Sequence, residues 1–232
     1  MVVPPGTNSA VFRSLPYDPV KDFAPVSLLV GAPKALFVPG TSPVRNVADL
    51  LALARQQPGK LNYGSYGVGT VTHLLTEQFK AAAGIELTHV PYKGSVAAQL
   101  GLIANDVQMI FDGVSSASAQ VASGKIRMIA IASSSRLPVS PGTPTVTESG
   151  VPFVFDSGFM ALFAPSGTPR EAIAALHREV VNASRQPDLR DWLVGQGYEI
   201  VASTPEYLAE RVSTQIDFWR RFVREHNLKF DK

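Results

Sequence analysis

The chain has 232 residues, enough for one large domain or two small ones, and 45% of them are apolar, which suffices for real cores. Charged residues make up only 17%, the formal net charge is +2, and no Lys/Arg run is dense. That argues against nucleic acid as a partner, because phosphate binding needs clustered cations. There is no Cys, so disulfides and thiolate metal sites are excluded, and no apolar run approaches the ~20 residues of a membrane span.

The opening Met1-Val2-Val3-Pro4-Pro5-Gly6 lacks the basic region and apolar core of a signal peptide. Residues 24–30 and 34–38 read as strands around the turn Gly31-Ala32-Pro33. Residues 47–57 read as a helix stopped by Pro58-Gly59, and 61–63 as a short strand. A glycine-rich turn follows, then a helix over 70–83 with Gly84 as its stop; Leu74, Leu75 and Phe79 lie on its apolar face. Next come a strand at 87–90, a helix at 96–104, a strand at 107–111 ending at Asp112, a helix at 117–122 and a strand at 127–132. This alternation of strand and helix predicts parallel βαβ units.

Residues 133–150, rich in Ser, Pro, Thr and Gly, read as surface loop. A strand at 159–163 leads to Thr168-Pro169, read as the cap and first position of a helix reaching Ser184. A helix at 187–196, a strand at 199–201 and a long helix opened by Thr204-Pro205 complete the chain. Leu208, Val212, Trp219, Phe222 and Val223 form one stripe on that last helix, as in a helix docked on its own domain. Two Pro/Gly-rich joints, Val38-Pro39-Gly40 and Ala164-Pro165-Ser166-Gly167, suggest crossings between two lobes. One lobe would hold residues 1–39 and 164–232, the other 40–163, the plan of a hinged clamp.

The stretch Asn62-Tyr63-Gly64-Ser65-Tyr66-Gly67-Val68-Gly69-Thr70 carries the most chemistry. Strand, glycine turn and helix start together make an anion site, since glycines permit close approach and the first helical N–H groups point at the ligand. Three specific motifs fail by one residue each. A dinucleotide fingerprint has Thr72 where its third Gly belongs, a P-loop has Thr70 in place of its Lys, and a nucleophile elbow around Ser65 has Tyr63 in place of its first Gly. A generic anion cradle remains, in which Ser65 and Thr70 offer hydroxyls and the Gly67 and Gly69 region offers backbone N–H groups; an ordinary capped βα loop is the alternative. His73 is either a wall of that site or a helix residue near its surface. Asp112 either orients a ligand or caps the helix after it, and Lys93 is a solvated turn residue or an anion ligand. His89, His177 and His226 have no metal-ligand spacing, and no credible triad or carboxylate pair stands out, so no catalytic residue, metal or cofactor is expected.

Four runs resemble one family. They are residues 15–26 (Leu15-Pro16-Tyr17-Asp18-Pro19 onward), residues 61–73, Val90-Pro91-Tyr92-Lys93-Gly94, and Phe163-Ala164-Pro165-Ser166-Gly167-Thr168-Pro169. In this order they resemble the Bug/TctC family of periplasmic solute-binding proteins, which serve tripartite tricarboxylate transporters. The resemblance covers essentially the whole chain. It implies an α/β, two-lobed clamp like other periplasmic binding proteins, with parallel-type sheets flanked by helices, that closes on a small carboxylate without catalysis. It implies membrane transporter subunits as partners and a periplasmic location. It maps one ligand carboxylate to Ser65, Gly67, Gly69 and Thr70, with His73 beside them. A second facing loop maps to Gly6-Thr7-Asn8-Ser9-Ala10, hence Thr7, Asn8 and Ser9, and Asp112 to the ligand's other end. Family members begin with a signal peptide, a first strand and a Pro-Gly-Gly loop that do not precede Met1 here, so the first lobe is expected to be incomplete. A serine hydrolase using Ser65, and a non-transport sensor or remnant, are the alternative readings.

Overall fold

The computed structural model describes residues 10–11, 15–152 and 158–230. In chain order the elements are β1 (Phe23–Gly31), β2 (Lys34–Pro39), α1 (Val47–Gln56), β3 (Asn62–Ser65), α2 (Val71–Ala83), β4 (Thr88–Pro91), α3 (Ser95–Ile103) and β5 (Met109–Gly113). They continue with α4 (Val114–Ala122), β6 (Ile126–Ala132), β7 (Phe159–Pro165), α5 (Arg170–Ser184), α6 (Pro187–Gly195), β8 (Glu199–Ile200) and α7 (Pro205–Glu225). Two compact units divide the chain, one of Met1–Ala32 with Gly158–Lys232 and one of Pro33–Ser157. The division falls several residues before the joints at Pro39-Gly40 and Ala164-Pro165. The reason is pairing: β2 bonds to β5 and β6, and β7 bonds to β1.

The unit of Pro33–Ser157 is a five-stranded sheet in the order β4-β3-β5-β2-β6. Its inner strands β2 and β5 are apolar at consecutive positions because both faces are covered. Leu36 and Val38 of β2, with Met109 and Phe111 of β5, pack on one face with Leu50 of α1 and Leu75 and Phe79 of α2. Ala35 and Phe37, with Ile110, pack on the other with Leu102 of α3 and Val114 and Ala117 of α4. The period-2 alternation of a strand thus serves two cores at once.

The rhythm of strand and helix predicts parallel sheets throughout, and here the structure differs. β3 is parallel to β4 and β5, but β2 is antiparallel to both its neighbours, β5 and β6. The other unit's sheet, β7-β1-β8, is antiparallel among the described strands. Alternation constrains only strands joined by one crossover helix, and β2 meets partners more than 70 residues away, so nothing local dictates its direction. In that unit α7 lays Leu208, Val212 and Ile216 against Leu28, Ala161 and Phe163. Pro205 sits in its first turn and Thr204 caps it, accepting from the Tyr207 N–H. At α5 the expected cap moves by one residue. Pro169 is the cap, and the Thr168 hydroxyl donates to the Pro165 carbonyl instead.

Candidate anion-binding site

Because β4, β3 and β5 are parallel neighbours, their C-terminal ends share one edge of the sheet. Each runs directly into a helix, so the N-termini of α2, α3 and α4 gather there. Their first-turn N–H groups lack intrahelical acceptors and carry partial positive charge, which makes this edge a favourable place for an anion. β2 is antiparallel, so its first residue, Lys34, lies at the same edge, level with Gly113 and Ala132.

The glycine turn between β3 and α2 is held from inside. Gly67 and Gly69 take positive φ values of 131° and 75°, the left-handed region that a side chain disfavours. The Tyr66 N–H donates to Thr72 Oγ1 at 3.0 Å and the Gly67 N–H to Ser65 Oγ at 3.1 Å. The Gly69 N–H donates to His73 Nδ1 at 3.0 Å, and the Thr70 hydroxyl donates to the Gly67 carbonyl at 2.7 Å. The hydroxyls and N–H groups that the sequence offered to a ligand are therefore engaged in shaping the turn. The first helical bond of α2 runs from the Leu74 N–H to the Thr70 carbonyl, which leaves the N–H groups of Val71 and Thr72 as first-turn donors.

Beneath the turn lies an aromatic stack that the sequence did not reveal. In the register of β3 and β4, Tyr63 pairs with His89, which puts both side chains on one face. The Tyr63 and His89 rings are 4.9 Å apart, and His89 and His73 stack at 3.9 Å with a 16° tilt. His89 Nε2 lies 2.6 Å from Ser65 Oγ. The Tyr63 hydroxyl donates to Glu77, which also pairs with Lys80 at 2.7 Å. One proton assignment serves the Ser65 contacts. His89 Nε2–H donates to Ser65 Oγ, and the Ser65 hydroxyl donates to the Gly67 carbonyl at 3.0 Å. His73, with Nδ1 accepting from Gly69, carries its proton on Nε2, 4.0 Å from Glu77. Burial lowers the pKa of both imidazoles; for His89 it is pushed down to about 4, with the neighbouring His73 adding to the shift and Glu77 opposing it. His73 is buried in this stack and tied to the turn through its Nδ1.

Asp112 is fully buried inside β5, not beyond its end. Its carboxylate accepts from Ser116 Oγ at 2.7 Å, Gln99 Nε2 at 2.7 Å, Ser95 Oγ at 2.9 Å, the Gly113 N–H at 2.6 Å, and the Tyr66 hydroxyl. It caps no helix through backbone N–H groups of the first turn. It clasps the glycine turn, through Tyr66, to the first turns of α3 and α4. The same contact with the carboxylate, after burial, raises the Tyr66 pKa. Lys93 stands exposed on its turn, and Thr7, Asn8 and Ser9 lie outside the described residues. Among the described residues no cluster of three His, Cys, Asp or Glu could hold a metal, and no helix is long and apolar enough to cross a membrane.

An α/β sheet edge with converging helix N-termini, joined to a second α/β unit by two chain crossings, is the architecture of periplasmic binding proteins. Comparison with known proteins agrees. The profile of the tripartite tricarboxylate transporter family receptors, TctC, matches residues 1–228, and the chain belongs to that family. A Pseudomonas relative, described as a UPF0065 protein in a tcbD-tcbE intergenic region, is 35% identical over 94% of this chain and 65% of its own length. The chain thus spans about two thirds of that relative. Of the solved structures, an R. palustris protein with adipate matches at 33% identity and TM-score 0.89, covering 95% of this chain and 74% of that one. MatC from Rhodopseudomonas palustris, with bound malate, matches at 30% identity and TM-score 0.85, covering 94% and 76%.

Proposed function

We propose that this chain is a solute-binding receptor that captures a small organic carboxylate at this sheet edge, without catalysis. It would hand the acid to the membrane subunits of a tripartite tricarboxylate-type transporter, in the periplasm. The observation that carries the reading is the convergence of three helix N-termini beside Lys34, a positive edge built largely from backbone. Its ligand carboxylate meets the first-turn N–H groups of α2, while Ser65, Gly67, Gly69 and Thr70 hold the turn in shape. The relatives solved with adipate and malate support a dicarboxylate as the cargo.

A ligand that binds only the folded state stabilises it, by ~2.7 kcal/mol at ~100 times its Kd, or roughly 5–10 °C for a chain of this size. Thermal unfolding with adipate, malate, succinate, glutamate and benzoate should therefore show a rise of that order for at least one acid. A folded protein with a flat response to all five would count against the reading.

One contact favours the hydrolase alternative, the 2.6 Å approach of Ser65 Oγ to His89 Nε2. Ser65 is fully buried, however, and its Oγ also accepts the Gly67 N–H. Among the described residues no carboxylate hydrogen-bonds His89 as the third member of a triad would. The expected result is no turnover of p-nitrophenyl acetate beyond the solvent rate, with Ser65→Ala equal to the parent; turnover lost in Ser65→Ala would establish the enzyme reading.

A further inference from the structure

Lys34 opens an otherwise apolar strand, and its placement is costly unless an anion joins it. Its partner across β2 and β5 is Gly113, the cap of α4. A Cβ at Gly113 would stand 2.8 Å from Ser116 Oγ and 3.6 Å from Lys34 Nζ, so the ammonium lies in the space that the missing side chain leaves. That space borders the N-terminus of α4, whose dipole disfavours a cation. Among the described residues no hydrogen bond or ion pair engages the Lys34 ammonium. The carboxylate whose charge acts on it, Asp112, already accepts from Ser95, Gln99, Ser116, Tyr66 and the Gly113 N–H. Burial holds the Lys34 pKa below the usual lysine value, while Asp112 pulls it back upward. A partly buried cation without an acceptor is a cost that evolution removes easily with Met or Leu, unless a ligand supplies the acceptor.

Resting on the reading of the edge as a carboxylate site, we propose that Lys34 is the specificity-determining residue of this receptor: it pairs with the second carboxylate of a dianionic acid whose first carboxylate sits at the N-terminus of α2. Tyr66 links the two positions, since it belongs to the glycine turn and its hydroxyl rests on Asp112. A monocarboxylate fills the first position and leaves the ammonium as it stands.

The test uses the full chain and two matched pairs of probes, adipate with hexanoate and malate with lactate, titrated by calorimetry into the parent, Lys34→Met and Lys34→Arg. Losing one charge-assisted hydrogen bond should weaken adipate and malate by ~10–100-fold in Lys34→Met, with hexanoate and lactate changed less than ~3-fold. Lys34→Arg, which keeps the charge, should restore most of the discrimination. The ligand-free Lys34→Met protein should melt no lower than the parent, because it sheds an unpaired charge. The ratio of di- to monocarboxylate affinity is the deciding readout, since a merely structural lysine would move all four probes together. If the parent binds dicarboxylates and Lys34→Met leaves that ratio unchanged, the role of Lys34 is overturned and the receptor reading stands. If the parent binds neither dicarboxylate, the inference is overturned, while the receptor reading stands or falls on the melting response to the five acids.

Discussion

Asp112→Ala is expected to destabilise the folded chain by about 3–5 kcal/mol and to abolish any carboxylate response. The substitution removes the acceptor for five donors at once, and a buried donor without a partner costs ~1–3 kcal/mol. The sum is held down because Ser95, Gln99 and Ser116 can rebond locally. Gln99 Nε2 also lies 3.0 Å from Ser95 Oγ, and Ser116 Oγ lies 2.9 Å from the Gly113 carbonyl. Asp112→Asn separates charge from shape. Its amide oxygen can still accept from Tyr66, Ser116 and the Gly113 N–H, but its NH2 faces the donors of Gln99 and Ser95, so about 1–3 kcal/mol should be lost. Urea unfolding of both variants checks the order. If Asp112→Ala unfolds like the parent, the carboxylate is no clasp.

The second large effect is acid sensitivity centred on the histidine stack. An unfolded histidine titrates near 6.5, while folded His89 titrates at about 4 because burial and His73 disfavour its charge. Between these values the unfolded chain takes up a proton that the folded chain refuses. Stability from this group is therefore complete above pH ~6.5 and is lost as pH falls towards ~4. His89 is partly exposed, so its share is about 1–2 kcal/mol after solvent screening. Protonation of His73 would act in the same direction, since its Nδ1 could no longer accept the Gly69 N–H. His89→Gln keeps a donor for Ser65 and cannot titrate. Between about pH 7 and pH 4.5 the parent should lose about 1–2 kcal/mol more than this variant in urea unfolding. A parallel fall in both would place the acid loss elsewhere, among the carboxylates.

The two clusters mark how far the residues could be read in order. The glycine turn was legible because its demands are local: Gly67 and Gly69 need left-handed backbone, and Gly84 ends the helix that follows. The four runs that resemble the family were legible for the same reason, and the family profile covers them. His89 was passed over because its meaning depends on pairing with Tyr63, 26 positions earlier, and no spacing encodes that register. One signal was available, a histidine in the strand after the glycine turn, where βα alternation makes the two strands parallel neighbours. Lys34 left a fainter trace, one charge at the head of an apolar strand. Reading it required knowing that β2 runs against its neighbours.

By itself the sequence determined the elements, the position of the turn and the kinship. These follow from backbone preference and apolar periodicity, which act over a few residues. Only the tertiary structure decided which polar groups bond to one another. Hydrogen bonding and charge pairing are settled by partners that strand register brings together across 20 to 80 residues. Thus Ser65, Gly69 and Asp112, expected as ligand contacts, hydrogen-bond to groups of their own site, and the direction of β2, which nothing local dictates, sets Lys34 level with Gly113.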